Sequence, residues 1–189
     1  MRVQPFPLYD VRVPNPRWLD DEEQRAWRAF LDATRRFSDA LDNQLQRDAG
    51  MPHAYYEILV RLSEKPDRAM RMRDLAEASL ASRSRLSHAV ARLEERGWVR
   101  RAVCPTDKRG QVAQLTDEGF RALAAAAPGH VERVRSALLD ALRPDQIRQL
   151  REISEAVSRQ LDAECGAMAG RPDASADCRP DEHVSQRNK

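Results

Sequence analysis

Residues along this chain that suit a core recur mostly at helical spacing. Trp27, Phe30, Leu31, Thr34, Phe37, Leu41 and Leu45 fall on one face of a long helix from about Asp21. Asp20 and Glu23 are placed as a capping box at its start, and Gly50 and Pro52 mark its end. Tyr55, Ile58, Leu59 and Leu62 define a second helix, closed by the KPDR turn around Pro66. A short third helix is expected from about Arg71 to Ala78, with Met72, Leu75 and Ala76 inward. Leu86, Ala89, Val90 and Leu93 mark a fourth, which runs into Gly97.

The period then changes. Trp98 and Val99 begin one strand, VCPTDKRG reads as a turn, and Gln111 to Leu115 reads as a second strand, so a hairpin follows the fourth helix. Thr116 is placed to cap the next helix, carried by Phe120, Leu123, Ala124, Val131, Val134, Leu138 and Leu142 and expected to be interrupted at Pro128 and Gly129. A last helix from about Pro144 has the stripe Ile147, Leu150, Ile153, Val157 and Leu161. The expected fold class is mainly α with a small β-hairpin. The first helix and the last two carry more apolar surface than a small hairpin domain needs, which implies a homodimer.

The outer face of the fourth helix changes this from a fold into a candidate site. It holds Ser82, Arg83, Ser84, Arg85, Ser87, His88 and Arg92. Hydroxyls and long cationic donors suit phosphates and the acceptor edges of bases in a major groove. Ser84, Arg85, Ser87 and His88 are the candidates for base edges or adjacent phosphates, and Arg83 and Arg92 for phosphates. Lys108 and Arg109 lie in the hairpin turn, where a narrow minor groove would attract them. Asp107 is read as a wing-positioning group paired with Arg109 or Arg101, and Arg71 and Arg73 as phosphate donors at the start of the third helix. Helix, turn, helix and hairpin in this order make the partner double-stranded DNA.

Charge supports that placement. Residues 68–110 hold 11 Lys and Arg against 5 Asp and Glu, a balance of +6, whereas residues 1–67 and 111–189 each stand at −2. The chain's overall +2 conceals this concentration.

The run LASRSRLSHAVARLEERGWVRRAVCPTDKRGQVAQLTDEG resembles the recognition helix and wing of the MarR family of bacterial transcriptional regulators. The R-L-E-E-R-G-W-V helix end, the D-K-R wing tip and the L-T-D-E-G start of the following helix carry the likeness together. It extends over roughly residues 20–165. The resemblance implies a winged helix-turn-helix with long N- and C-terminal dimerisation helices. It further implies a homodimeric repressor of palindromic operators, released by a small aromatic or amphiphilic effector. Under it, residues 1–19, with Pro5, Pro7, Pro14 and Pro16, form an extended arm, and residues 20–165 form the domain. Dimerisation helices are expected at about 20–49 and 117–165, and the DNA-binding lobe at about 52–116. Residues 166–189 lack periodicity and are expected to be disordered. The candidate effector lining is Trp27, Phe30, His53, Tyr55, Tyr56 and Leu59, residues whose spacing fits plain core equally.

No enzyme is indicated, because glycine-rich phosphate loops, metal-ligand clusters and nucleophile elbows are missing from the sequence. No cofactor and no metal are expected. His53, His88, His130 and His183 have no acidic or cysteine partner at informative spacing, and Cys104, Cys165 and Cys178 have no paired spacing. Cys104, near Arg100, Arg101 and Lys108, reads as an inert turn residue with a redox role as the alternative. No apolar run approaches the ~20 residues of a membrane span, and a cytoplasmic location is expected. The alternative function is a winged-helix protein-interaction module without specific DNA binding.

Overall fold

Asp20 starts the first helix as the spacing predicts. Its Oδ1 accepts from the Glu23 amide at 2.8 Å, and Glu23 Oε2 accepts from the Asp20 amide at 2.9 Å. The helix, α1, runs Asp21–Ala49, and Gly50 closes it in the left-handed conformation (φ 60°). The computed structural model describes the backbone at residues 16–79, 82–104 and 107–169, and the side chains within those ranges except at 104–110 and 165–169.

After α1 come α2 (His53–Ser63), β1 (Ala69–Arg71), α3 (Met72–Ala78), α4 (Arg83–Glu95), β2 (Val99–Cys104), β3 (Asp107–Leu115), α5 (Asp117–Ala137) and α6 (Pro144–Ala169). One compact unit ends at Leu138 and a second begins at Leu139. The second holds a short 3-10 turn, Leu139–Ala141, and α6. Within α6, Ile153, Val157 and Leu161 are exposed.

The core of the first unit is built where the apolar stripes meet. Leu45 of α1, Ile58, Leu59 and Leu62 of α2, Leu75 of α3, Leu86, Val90 and Leu93 of α4, and Leu123 of α5 are all buried, with Val99, Ala113 and Leu115 contributed by the sheet. Burial of a Leu or Val side chain stabilises by about 1.5 to 3 kcal/mol before chain entropy is charged against it. The N-terminal half of α1 does not share in this core: Trp27 is 51% and Phe30 53% exposed, their rings stacked at 6.4 Å.

Four expectations need correction. The sheet has three strands, in the order β1-β3-β2, where the sequence pattern predicts two. β1 is three residues long, Ala69 facing Gln114 and Arg71 facing Val112, and lacks the alternation by which strands are recognised. β3 begins at Asp107, not Gln111, so the D-K-R-G segment belongs to the strand, and the β2–β3 pairing slips between Val103 and Cys104. α5 is not interrupted at Pro128; it continues to Ala137 and stops before Leu138 and Leu142. Proline removes one helical hydrogen bond, but Leu123 and Ala126 pack this helix into the core and alanines dominate the preceding turn. Finally, α6 runs to Ala169, four residues into the segment expected to be disordered. The rest of that segment, and residues 1–15 of the arm, lie outside the described residues; residues 16–20 have no regular structure.

Candidate nucleic-acid interface

α3 and α4 form a helix-turn-helix, and α4 presents one face to the core and the other outward. Leu86, Val90 and Leu93 are buried, while Ser82, Arg83, Ser84, Arg85, His88 and Arg92 are exposed and Ser87 is half-buried. Ser82 is the N-cap, its Oγ accepting from the Arg85 amide at 3.3 Å. One Ser82 lone pair thus serves the helix, and its O–H remains a donor.

The local excess of cations separates into two groups. Arg68 pairs with Asp117 at 3.1 Å and lies 4.1 Å over the Phe120 ring. Arg73 pairs with Glu77 at 3.0 Å and Arg92 with Glu95 at 2.7 Å. Those carboxylates raise the pKa of each guanidinium through a side-chain hydrogen bond first and charge second. Arg96 Nη1 donates to Gly50 O at 2.9 Å, with its guanidinium 4.9 Å from the Trp98 ring. Arg100 donates twice to Gln114 Oε1, at 3.0 and 2.8 Å. Arg101 pairs with Glu94 at 3.2 Å. Against these, the Arg83 and Arg85 side chains meet no hydrogen-bond, ion-pair or ring partner among the described residues. The two uncommitted guanidiniums project from the first turn of α4. Arg71 stands just before α3, at the end of β1.

The junction between α4 and the hairpin is held tightly. Gly97 adopts φ 71°, a conformation glycine takes without the Cβ penalty, and the Trp98 amide donates back to Leu93 O at 3.0 Å. Thr116 donates from Oγ1 to Gly97 O at 2.7 Å and accepts from the Gly119 amide at 3.0 Å, the cap expected of it. Gly119 sits against the Trp98 carbonyl: a Cβ there would lie 2.1 Å from that oxygen. The glycine of L-T-D-E-G is therefore required by close approach of α5 to Trp98, the residue just before β2. The side chains of Asp107, Lys108, Arg109 and Cys104 lie outside the described ones, so their expected roles are placed only by the strand positions of their backbones.

Of the six residues expected around an effector, two share a cavity among the described residues. His53 and Tyr56 line a cavity of about 260 Å³ together with Glu57, Val60, Arg61, Glu64 and His130. Leu59 is fully buried in the core, Tyr55 packs against it, and Trp27 and Phe30 lie on the exposed part of α1. His130 is the lining residue that sequence spacing misses. Its ring is 4.4 Å from Tyr56 and 5.5 Å from His53, contacts made across α2 and α5 and invisible to a local pattern. Burial pushes the His130 pKa below the usual histidine value, His53 adds to the shift and Glu57 opposes it. Burial also pushes the Tyr56 hydroxyl up.

Among the described residues no cluster of three or more His, Cys, Asp or Glu side chains is placed to hold a metal ion. No helix among them is long and apolar enough to cross a membrane.

Helix-turn-helix, hairpin and added strand define a winged helix-turn-helix protein of mostly helical content. The MarR family model matches residues 49–110, from the end of α1 through the hairpin. The chain is 56% identical to Streptomyces coelicolor Sco3205, a MarR family transcriptional regulator crystallised in complex with DNA, covering 78% of this chain and 92% of that one with a TM-score of 0.76. It is 40% identical to AbsC, a MarR family transcriptional regulator from the same organism, covering 78% and 99% with a TM-score of 0.75. The HTH-type transcriptional regulator YfiV of Bacillus subtilis (strain 168) is 29% identical over 83% of this chain and 96% of its own length. The chain belongs to the MarR family of transcriptional regulators, and its relatives are regulators, not enzymes.

Proposed function

We propose that this regulator acts as a homodimeric, sequence-specific DNA-binding repressor in the cytoplasm, reading a palindromic operator and released from it by a small aromatic or amphiphilic effector. The observation that carries the DNA reading is the pair Arg83 and Arg85, exposed and uncommitted among the described residues at the start of α4. A helix N-terminus also offers free backbone donors to phosphate. The DNA complex of the 56%-identical Sco3205 supports the same reading. Ser84, Arg85, Ser87 and His88 address base edges, Arg83 and Ser82 the adjacent phosphates, and Lys108 and Arg109 the minor groove, with Asp107 positioning the wing. Arg71, Arg73 and Arg92 stand behind these, the last two already sharing their charge with Glu77 and Glu95.

The apolar faces left exposed on α1 and α6 support dimerisation through the segments 20–49 and 117–165, with 52–116 as the DNA lobe, 1–19 as an arm and 166–189 as a tail. The cavity shared by His53, Tyr56 and His130 is the better candidate for the effector. An effector acts only if it binds the DNA-free conformation more tightly.

Selection of bound sites from a random DNA pool tests the reading. The expected result is a pseudo-palindrome whose half-sites are one helical turn, about 34 Å, apart. Recovery of no motif would leave the winged domain as a protein-interaction module.

A further inference from the structure

Arg101 and its neighbour Arg100 alternate across the strand, and only one of them reaches the helix. Arg100 is spent inside the sheet, on Gln114 of the adjoining strand. Arg101 turns to α4 and holds it at two places. Nη2 donates to the carbonyl oxygen of Ser87 at 2.7 Å, and Nε lies 3.2 Å from Glu94 Oε2 as an ion pair without hydrogen-bond geometry. The Arg101 amide donates to the other oxygen of Glu94 at 2.8 Å, so main chain and side chain are held together. Ser87 and Glu94 are two turns apart on one helix face, a rise of about 10 Å. A strand fastened at two points along a helix axis cannot pivot as it could about one.

The pair is set apart by burial. The side chains of Arg101 and Glu94 are 26% and 32% exposed, whereas the two of the Arg92–Glu95 pair are 67% and 61% exposed. A half-buried charge that loses its partner is left poorly solvated, so the geometry is enforced more strongly than at an exposed pair. Beyond Arg101 the strand runs three more residues to Cys104, where the hairpin turns, a reach of about 10 Å. A pivot of about 10° at Arg101 would move the wing tip by about 2 Å, enough to break a hydrogen bond.

We propose that Arg101 and Glu94 are positioning residues: their clamp fixes the angle between α4 and the wing, so that helix and wing tip engage neighbouring grooves as one rigid reader. This rests on the DNA-binding reading above. It assigns Arg101 no phosphate of its own, since its guanidinium is committed to Ser87 and Glu94.

The test compares operator affinity and its salt dependence, by fluorescence anisotropy on the full-length protein, for wild type, Glu94→Ala, Arg101→Met, Arg109→Ala and the double variant Arg101→Met/Arg109→Ala. Glu94→Ala separates the alternatives by sign. It removes a negative charge from the DNA-facing lobe, so electrostatics alone, or release of Arg101 to a phosphate, would tighten binding. The clamp predicts the opposite, a loss of roughly tenfold, with a shallower salt slope because the wing contacts go with it. Arg101→Met is expected to add little to Arg109→Ala, since a wing without its tip has nothing left to aim. Unchanged or tighter binding by Glu94→Ala, or full additivity in the double variant, would overturn the proposal. A loss of affinity at unchanged salt slope would also overturn it, as the mark of simple destabilisation. Glu94→Gln, which keeps an acceptor for the Arg101 amide, gives the same readout if the alanine variant unfolds. A wild type that selects no operator would bring down the functional reading and this proposal together, whereas a binding wild type with an indifferent Glu94→Ala would remove this proposal alone.

Discussion

The two ends of α4 carry similar charge and use it differently. At the N-terminal end Arg83 and Arg85 stand exposed with no partner among the described residues. At the C-terminal end, and in the strand that follows, Arg92, Arg96, Arg100 and Arg101 are engaged by Glu95, Gly50 O, Gln114 and Glu94. A charge count treats these residues alike. The structure divides them into groups available to a ligand and groups that build the platform. Availability, more than number, should govern which arginines matter to binding and which to stability.

The sharpest way to break this division is at the platform. Gly119→Ala places a Cβ 2.1 Å from the Trp98 carbonyl and 2.8 Å from Leu115 Cδ1. The carbonyl cannot step aside cheaply, because it also accepts from the Thr116 amide at 3.0 Å. Overpacking of this kind costs about 1 to 3 kcal/mol, with more possible at so short a distance. Urea unfolding should show that loss as a lower midpoint. An unchanged midpoint would mean that the junction yields and the platform is not rigid.

Next in size is the free end. Arg85→Ala should leave unfolding unchanged and cost roughly 1 to 3 kcal/mol of operator affinity if Arg85 pairs with a guanine, with the loss confined to sites carrying that base. Equal weakening on all DNA would demote Arg85 to a phosphate contact. A lower unfolding midpoint would place it with the platform after all. The two variants thus form a crossed pair, one moving stability and the other recognition.

How much of this could be read beforehand depends on the range of the interactions. The core face of α4, the Asp20–Glu23 capping box and the Thr116 cap are set within a few residues, and the chain's own pattern predicts them. β1 was not legible, because Ala69–Arg71 has no periodicity and becomes a strand only by pairing with residues 112–114. Pro128 misled in the other direction, since burial of its helix outweighs the lost hydrogen bond. For the candidate site, residue types and the positive excess pointed to α4, but the division of its arginines did not follow. Glu94 and Arg101 are seven apart across a turn, and no spacing rule joins a helix residue to a strand residue that folds back beside it. His130 illustrates the same limit, being joined to His53 from 77 positions away by the packing of α5 on α2.

The smallest expected effect decides whether the division is a gradient or a boundary. Arg92 lies on the outward face of α4, and by residue type it belongs with Arg83 and Arg85; by partner it belongs with the platform, its guanidinium 2.7 Å from Glu95. Arg92→Ala removes one cation and releases one carboxylate. If the ion pair persists when DNA binds, the released Glu95 weakens binding a few-fold at most, by repulsion, and the salt slope changes by well under the 0.9 expected for a lost phosphate contact. If instead Arg92 leaves Glu95 for a phosphate, the slope falls by close to that full value. Glu95→Gln supplies the converse: it should improve binding in both cases, but should steepen the salt slope only in the first, where it turns a neutral pair into a free cation that gains a phosphate. Exposed pairs are weak enough for either choice, so Arg92 marks how far along α4 the DNA-reading surface extends.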